Sequence, residues 1–350
     1  MYIATVDSGT THSRVYVVDT AGRVLGMARV KAGVRDTATT GSRQTLMDGI
    51  RSCFNKAVAT AGLRNTDICF ALAAGMITSE IGLIEVPHLS APAGAAELSA
   101  GIVRVHDTAV FPIDIPVYFI PGIRNPFDPQ TVRTEDVGTL DFMRGEEAQV
   151  VGLMHLGKVA APGMVTILSS HTKFIVIDSS SRIAGSITTL SGQLYEAVQL
   201  QTSIGKSIRP PDESEEKQFA DYWDESVVSN ALDWVIRSGI SRTFLMTRFL
   251  DVLLHRPWFE RQLFVESAIA AEDLKAFAQA DDIAGSLQGK HMVVVGEQRR
   301  ARIYQHLFSR TGKDLSISFV SDPEEIDSLS IQGALVVAQL AGLTKEDCTQ

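Results

Sequence analysis

The chain has 350 residues, of which 41 are acidic and 32 basic, so its formal net charge is −9. An acidic chain without a dense lysine and arginine block is not expected to bind nucleic acid, because affinity for phosphate backbones requires clustered positive charge. Hydrophobic residues make up 45% and charged residues 21%, which is typical of a folded chain, and the length favours two domains over one.

The N-terminus and the cysteines indicate the cellular compartment. Met1–Asp7 has no basic region ahead of an apolar stretch, so no signal peptide is expected. No run of about 18 apolar residues occurs, which argues against a membrane partner and predicts a cytoplasmic location. The three cysteines, Cys53, Cys69 and Cys348, are widely separated and form no zinc-type pair, so reduced thiols are predicted.

Short apolar segments predict three strands at the start of the chain. Tyr2–Val6 and Val15–Asp19 flank the polar segment Asp7–Arg14, which predicts a hairpin. The turn Thr20-Ala21-Gly22 then leads into a third strand at Val24–Val30.

An amphipathic helix and a further strand follow the hairpin. Apolar residues four positions apart predict a helix over residues 42–61. Ile68–Ala73 predicts a strand that runs into the loop Ala74-Gly75-Met76. The proline-rich segment 82–141 is expected to contain short strands and shows little helical periodicity. By periodicity alone, this part of the chain is an α/β domain.

A second set of elements repeats this arrangement of strand, polar loop, strand, turn and strand, with very little sequence identity. Residues 193–309 are mostly helical in pattern, and a final helix is predicted from about 330 to 341. The predicted strands of this half are Met164–Leu168, Phe174–Asp178, Ile183–Thr188, Met292–Val295 and Leu315–Val320.

The first candidate site is the loop of the first hairpin. Asp7 places a carboxylate at a strand end, Gly9 permits a tight turn, and Thr10 and Thr11 add hydroxyls beside backbone N–H groups. Such a loop suits a phosphate, and the carboxylate suits a hydrated Mg²⁺. Arg14 is expected to pair with a substrate carboxylate or a phosphoryl oxygen. An ordinary polar hairpin loop is the alternative for so short a motif.

The second candidate site is the segment Arg144-Gly145-Glu146-Glu147-Ala148-Gln149 at the start of a predicted helix. Acids are common in a first helical turn because they complement the helix dipole, which accounts for Glu147. A carboxylate at a helix start can also accept the proton of a hydroxyl group. The segment therefore predicts either a cap or a general base.

The third candidate site is Ser169-Ser170-His171-Thr172-Lys173, which takes the place of the first loop in the second repeat. Its hydroxyls and its lysine predict a second phosphate-binding loop, in which His171 is either a hydrogen-bond donor or a structural residue. A buried strand ending at Gly296 is the fourth candidate, against which a nucleotide base could pack. No P-loop, nucleophile elbow or dinucleotide-binding glycine motif occurs.

Taken together, these parts resemble the 2-keto-3-deoxygalactonate kinase family of the sugar-kinase, Hsp70 and actin superfamily. The most specific match is Met143-Arg144-Gly145-Glu146-Glu147 with Gln149, whereas the Asp-x-Gly-Thr of the first loop is shared by the whole superfamily. Further matching residues are Ala32-Gly33-Val34, Ala74-Gly75-Met76, Ser79, Gly82, Pro87, Pro92, Ile120-Pro121-Gly122, His171, Lys173 and Ile331-Gln332-Gly333.

The resemblance implies an α/β fold made of two actin-like domains, which is a duplicated ribonuclease H-like fold with an interdomain cleft. Residues 1–142 would form the N-terminal domain, which includes the substrate-binding segment, and residues 143–329 the C-terminal nucleotide-binding domain. The final helix, about 330–350, is expected to pack back onto the first domain. A homodimer is compatible with this resemblance.

The resemblance also implies ATP-dependent phosphorylation of the terminal (6-) hydroxyl of the sugar acid 2-dehydro-3-deoxy-D-galactonate in galactonate catabolism, with Mg²⁺ at Asp7. Its alignment makes Glu146 the base with Glu147 as the fallback. A basic group must meet the substrate carboxylate, and Arg144, which is predicted to be catalytic together with Glu146, or Arg14 is expected to do so. A kinase for another keto-deoxy sugar acid, or a non-catalytic sugar-acid or nucleotide sensor, is the alternative. The ATP contacts would be Asp7, Gly9, Thr10, Thr11, Ser169, Ser170, His171, Thr172, Lys173 and Gly296. The substrate contacts would be Arg14, Gly75, Met76, Ser79, Pro121, Gly122 and Glu147.

Three segments depart from the family pattern. Ser169-Ser170 replaces the usual glycine and threonine, which predicts poorer backbone approach to phosphate. Gly82-Leu83 replaces Gly-Trp, which predicts a reshaped sugar pocket, and Gly192-Gln193 replaces Gly-Glu.

Overall fold

The computed structural model describes residues 1–343, which divide into two compact units. Unit 1 contains Met1–Ala160, Asp178–Gly185 and the segment that starts at Glu324, and unit 2 contains Ala161–Ile177 and Ser186–Pro323. Residues 143–160 therefore pack within unit 1, whereas the sequence analysis assigned them to the C-terminal domain. Residues 344–350, which include Cys348 and the end of the predicted final helix, lie outside the described residues.

The described residues form fourteen strands and eleven α-helices. The strands are β1 (Tyr2–Ser8), β2 (Ser13–Asp19), β3 (Val24–Val30), β4 (Ile68–Gly75), β5 (Leu89–Ser90), β6 (Val103–Val105), β7 (Val117–Phe119), β8 (Ile123–Arg124), β9 (Phe142–Met143), β10 (Gly163–Leu168), β11 (Thr172–Ile177), β12 (Ile183–Thr189), β13 (His291–Gly296) and β14 (Ser316–Val320). The α-helices are α1 (Val34–Thr40), α2 (Gln44–Thr60), α3 (Ala95–Ala100), α4 (Glu146–His155), α5 (Ser191–Gln201), α6 (Ile204–Ile208), α7 (Glu213–Gln218), α8 (Glu225–Val252), α9 (Trp258–Ile283), α10 (Gln298–Ser309) and α11 (Pro323–Leu340).

A six-stranded sheet forms the centre of unit 1, in the order β3-β2-β1-β4-β7-β6. Strand β1 is antiparallel to β2 and parallel to β4. The predicted apolar stripe of α2 packs on this sheet, where Leu46, Ile50 and Phe54 are fully buried. The whole stripe becomes buried because residues four positions apart lie on the same face of the helix.

The five-stranded sheet of the second repeat has the order β12-β11-β10-β13-β14. Strand β10 is antiparallel to β11 and parallel to β13, as β1 is to β2 and β4. Both sheets thus place a hairpin beside two parallel strands in the same order, which confirms the structural repeat and the α/β fold class predicted from the sequence.

A third sheet, with the order β5-β8-β9, lies in the proline-rich part of unit 1. Short strands were expected in this part of the chain, but their positions were not predicted, because each strand of this sheet has two residues and so shows no period-two pattern.

Helix α11 begins at Pro323, seven residues before the predicted start at 330. Proline is favoured in the first helical turn because its missing N–H would have no partner there. The helix packs closely on α4: a Cβ added to Gly152 would lie 2.1 Å from the Leu329 carbonyl oxygen, and one on Gly333 would lie 1.8 Å from that of Ala148. Glycine at both positions therefore brings the two helices into backbone contact in unit 1.

The cysteines differ from the prediction. Cys53 is a free, buried thiol, but Cys69 is disulfide-bonded, so the expectation of reduced thiols is wrong for Cys69. Within the described part of the chain, none of the helices has the length and apolar character needed to cross a membrane.

Candidate active site

Two glycines flank the first loop in unit 1. A Cβ on Gly33, which precedes α1, would lie 2.4 Å from the Thr10 carbonyl oxygen, and a Cβ on Gly75, at the end of β4, would lie 2.7 Å from that of Ser8. Gly75 also has a φ of +91°, which L side chains rarely adopt. Both glycines therefore allow backbone to pack directly against the loop.

Asp7 lies beside Arg14 in the register of the β1–β2 hairpin. The Arg14 Nη1 is 3.5 Å from an Asp7 carboxylate oxygen and 3.5 Å from one of Asp327 in α11. Burial raises the pKa of Asp7, Arg14 lowers it, and the charges of Glu146 and Asp327 raise it further. Asp7 is thus within electrostatic reach of Glu146, although they are far apart in sequence.

The start of α4 holds the two predicted glutamates in different environments. Glu146 is partly exposed, and its Oε2 accepts a hydrogen bond of 3.2 Å from the Arg144 backbone N–H. Glu147 is fully buried, and both of its carboxylate oxygens accept the Gly145 N–H, at 2.7 and 2.8 Å. Burial, followed by the Glu146 charge, raises the pKa of Glu147 to about 8. Only Glu146 therefore presents a carboxylate to a substrate.

Gly145 adopts a φ of +107°, and its missing Cβ would lie 3.3 Å from Gly75 Cα. The backbone before Glu146 therefore lies against the backbone next to Asp7. A small cavity of about 20 Å³ there is lined by Asp7, Tyr16, Gly145 and Asp327, among others, and has room for one water molecule rather than for a substrate.

Arg144 is occupied by contacts within unit 1. Its Nη1 donates to Thr78 Oγ1 at 2.8 Å, and its Nη2 donates to the Val86 carbonyl oxygen at 2.9 Å and lies 3.3 Å from His88 Nδ1. Burial lowers the pKa of Arg144. This arginine, predicted to be catalytic, ties the segment 76–88 to the start of α4.

The other predicted substrate residues lie near this arginine but are mostly covered. Ser79 is 2% exposed, and its hydroxyl donates to the Met76 carbonyl oxygen at 2.7 Å. Pro121 and Gly122 are buried, and a Cβ on Gly122 would lie 2.8 Å from Arg144 Cγ. Met76 is partly exposed. Leu83, where the family usually has tryptophan, is 3% exposed and belongs to the hydrophobic core.

The second loop, in unit 2, repeats the glycine arrangement of the first. A Cβ on Gly192, in α5, would lie 2.2 Å from the Ser169 carbonyl oxygen, and one on Gly296, at the end of β13, would lie 2.7 Å from Leu168 Cβ. Ser169 and Ser170 are exposed, and the Ser170 Oγ lies 3.2 Å from His171 Nδ1. These two serines and His171 are the loop side chains open to a ligand.

Thr172 and Lys173 point away from the loop surface. Lys173 is 4% exposed and its Nζ donates to Thr188 Oγ1 at 2.6 Å. Thr172 is fully buried, with its hydroxyl 3.1 Å from the Tyr304 hydroxyl, which in turn donates to the buried Asp273. Both residues were predicted to contact phosphate, but the structure places them beneath the loop, where they support it.

Arg300 of α10 supplies a cation at the loop that the sequence analysis missed. Its Nη1 donates to the Ser169 carbonyl oxygen at 3.0 Å, and its Nη2 to Thr172 Oγ1 at 3.4 Å. The sequence gives no signal for Arg300, because the contact depends on tertiary packing. Gly33 and Gly192, in contrast, could have been identified by their equal placement after the third strand of each repeat.

Two sheets of the same strand order, each with a polar hairpin loop held between two glycines, are typical of the actin-like fold class. Within this class, the chain belongs to the 2-keto-3-deoxy-galactonokinase family, whose sequence pattern it matches over residues 7–322.

Two curated relatives are similar over part of the chain. A protein of Rhizobium meliloti (strain 1021), assigned as a 2-dehydro-3-deoxygalactonokinase, is 27% identical over 212 residues, which is 60% of each chain. The 2-dehydro-3-deoxygalactonokinase of Escherichia coli (strain K12) is 26% identical over 142 residues, or 40% of this chain and 41% of the relative. The aligned regions thus span 60% and 41% of these relatives, which is less than two thirds of each.

Solved structures support the fold over nearly the whole chain. A Sinorhizobium meliloti protein assigned as a 2-dehydro-3-deoxygalactonokinase superposes with a TM-score of 0.68 at 19% identity, covering 97% of this chain and 98% of that one. The activator of 2-hydroxyisocaproyl-CoA dehydratase from Clostridium difficile, with bound ADPNP, has a TM-score of 0.51 at 12% identity and covers 98% and 96%. At these identities the likeness establishes the fold alone.

Proposed function

We propose that the chain transfers the γ-phosphoryl group of ATP to the 6-hydroxyl of 2-dehydro-3-deoxy-D-galactonate. The observation that carries this proposal is the position of Glu146, a partly exposed carboxylate at a helix start, directly after Gly145, whose backbone lies against Gly75 beside Asp7. Family membership over residues 7–322 and the names of the curated relatives support the choice of reaction and substrate.

Glu146 is the general base of the proposed reaction. Its carboxylate accepts the proton of the 6-hydroxyl as that oxygen bonds to the γ-phosphorus and the bond to the ADP oxygen breaks. Glu147 is a positioning residue, because it is buried and fixes the Gly145 N–H instead of contacting substrate. Phosphoryl transfer requires mainly positioning and charge stabilisation, which a rigid helix start provides.

Asp7 is the residue that would hold Mg²⁺. Among the described residues, no group of three or more histidine, cysteine or acidic side chains could bind a metal ion, but Mg²⁺ in kinases needs only one or two carboxylates together with phosphate and water oxygens. The acidic neighbours that raise the pKa of Asp7 favour a cation beside it. When bound, the ion would neutralise charge on the phosphates.

In unit 2, the nucleotide phosphates are assigned to the exposed loop at Ser169, Ser170 and His171, with Arg300 as the cation in place of Lys173. Gly296 is buried at the end of β13, where it packs against Leu168, so it is not a direct contact for the adenine ring. Ser169, which replaces the glycine of the family, does not adopt a left-handed backbone conformation and so introduces no strain of that kind. The described non-glycine residues with positive φ are Ser181, His255 and Ser286. This observation favours a kinase over a non-catalytic sensor, and another keto-deoxy sugar acid is the remaining alternative.

The test is ADP release in a coupled assay across a panel of keto-deoxy sugar acids. We expect turnover on the galactonate derivative, and we expect Glu146→Gln to lower kcat on the order of 100-fold or more with a modest change in KM. Turnover on a different acid would change the substrate, and binding without turnover on any acid would overturn the kinase proposal. Near-normal kcat in Glu146→Gln would remove the role of Glu146 as base.

A further inference from the structure

The sheet β5-β8-β9 aligns three side chains that the proposed mechanism does not use. Ser90 pairs with Arg124 in the parallel register of β5 and β8, and Arg124 pairs with Phe142 in the antiparallel register of β8 and β9. Residues paired across neighbouring strands point to the same face of a sheet. Ser90, Arg124 and Phe142 therefore form one row, which we call the β8 row.

The β8 row lies on the open face of the sheet. The preceding pair in the register, Ile123 and Met143, is 1% and 2% exposed, so that row faces the interior. Alternation along each strand places the β8 row on the opposite face, where Ser90 is exposed and Phe142 is 59% exposed.

Arg124 and Phe142 are close neighbours within this row. The Asn125 N–H donates to the Asp141 carbonyl oxygen at 2.8 Å, so the pair before it, Arg124 and Phe142, is a non-hydrogen-bonded pair, in which side chains approach most closely. The Arg124 guanidinium also lies 4.2 Å from the centre of the Phe127 ring. The Phe127 ring thus holds the cation in an ordered position.

Arg124 retains capacity for an anion. Its Nη1 donates to the Asn125 carbonyl oxygen at 3.2 Å, and no acidic side chain in the described part of the chain forms an ion pair with it. The two arginines that the sequence suggested for the substrate carboxylate are already engaged: Arg14 by Asp7 and Asp327, and Arg144 by Thr78 and Val86.

The β8 row is next to the catalytic segment. Phe142 precedes Glu146 by four residues, so their Cα atoms are at most about 14 Å apart, and its ring lies 5.3 Å from that of His88, which contacts Arg144. A six-carbon acid whose terminal hydroxyl meets Glu146 carries its carboxylate at the far end of the chain. The open face of the sheet is therefore placed to receive that end.

We propose that the β8 row recognises the carboxylate end of the substrate. Arg124 forms a bidentate, charge-assisted pair with the carboxylate, the Ser90 hydroxyl donates a further hydrogen bond, and Phe142 packs against the adjacent carbon chain. This inference rests on the proposed function, and it makes Arg124 the residue that selects acids over neutral keto-deoxy sugars.

The test compares the sugar acid with the matching 3-deoxy-2-hexulose, which carries CH₂OH in place of the carboxylate. Arg124→Gln should raise KM for the acid on the order of 10- to 100-fold, which is the loss of one hydrogen-bonded charge pair. It should leave kcat/KM for the neutral sugar unchanged. Arg124→Lys should recover part of the loss because it keeps the charge. Arg133→Gln is the matched control, since Arg133 is exposed and pairs with Glu135.

An unchanged KM for the acid in Arg124→Gln would overturn the proposal, and so would an equal loss on both sugars. If Arg124→Gln does not fold, Ser90→Ala and Arg124→Lys carry the same comparison. If the wild-type chain turns over no acid, the proposed kinase function fails separately. Calorimetric binding of the acid to wild-type and Arg124→Gln protein still tests the β8 row, and equal affinities would contradict it.

Discussion

Replacement of Gly75 by alanine tests whether the backbone contact beside Asp7 determines activity. The new Cβ would lie 2.7 Å from the Ser8 carbonyl oxygen and 3.2 Å from Asp7 Oδ1. The first atom is backbone, so the clash is relieved by moving β1 or β4. The φ of +91° adds a backbone penalty of about 1–3 kcal/mol for any residue other than glycine.

Gly62 provides a matched control for the backbone penalty alone. It has a φ of +70°, and a Cβ there would meet no atom within 4 Å. Gly62→Ala should therefore lower the free energy of unfolding by about 1–2 kcal/mol without changing kcat. Gly75→Ala should lower it at least as much and should also lower kcat on the order of 10- to 100-fold, because displacements of about 1 Å at a reacting centre have effects of that size.

The assay is urea denaturation together with steady-state ADP release at saturating ATP and sugar acid. If Gly75→Ala is destabilised like Gly62→Ala but keeps kcat within about twofold of wild type, the Asp7 position does not depend on this contact. The reasoning from Gly75 and Gly145 would then be refuted.

Two further predictions concern a titrating group and the nucleotide loop. Because the pKa of Glu147 is raised from 4.5 to about 8, the stabilising effect of its protonated form is complete below pH 4.5 and is lost as pH rises toward 8, by about 1.4 kcal/mol per pH unit. Glu147→Gln should remove the fall in the free energy of unfolding between pH 4.5 and 8, measured by urea denaturation at several pH values. An unchanged pH dependence in this variant would contradict the raised pKa of Glu147. Arg300→Gln should raise KM for ATP about tenfold or more with little effect on KM for the sugar acid. Arg302 is exposed on the same helix, and its guanidinium lies 4.2 Å from the centre of the Trp223 ring. Arg302→Gln should leave KM for ATP unchanged, and equal effects of the two substitutions would argue against a role of Arg300 in nucleotide binding.

The repeated hairpins were predictable because their strands are short apolar runs separated by turn residues. Those runs become buried when the sheet forms, and each loop must join the ends of its two strands. The positions of both polar loops therefore followed from the local sequence pattern. The pairing of β1 with β4 and of β10 with β13 required the resemblance to a family, since parallel partners are distant in sequence.

The roles of the charged residues were less predictable. Lys173 and Arg144 stand in segments typical of ligand binding, but the direction of a side chain depends on which face of its strand or turn becomes buried. All six residues of β11 are buried, so no alternation revealed that the Lys173 ammonium would meet Thr188. The contacts of Arg300 and Asp327 likewise depend on tertiary packing that no local pattern encodes.

The division of unit 1 into separate chain segments has a consequence for synthesis. Its sheet begins at Tyr2, but α11, which packs on α4 through Gly152 and Gly333, follows all of unit 2 in the chain. On the ribosome, where domains generally fold as they emerge, unit 2 therefore has its full sequence first. The first segment of unit 1 therefore completes its packing only after unit 2 has been translated, and Arg14 can contact both Asp7 and Asp327 only then.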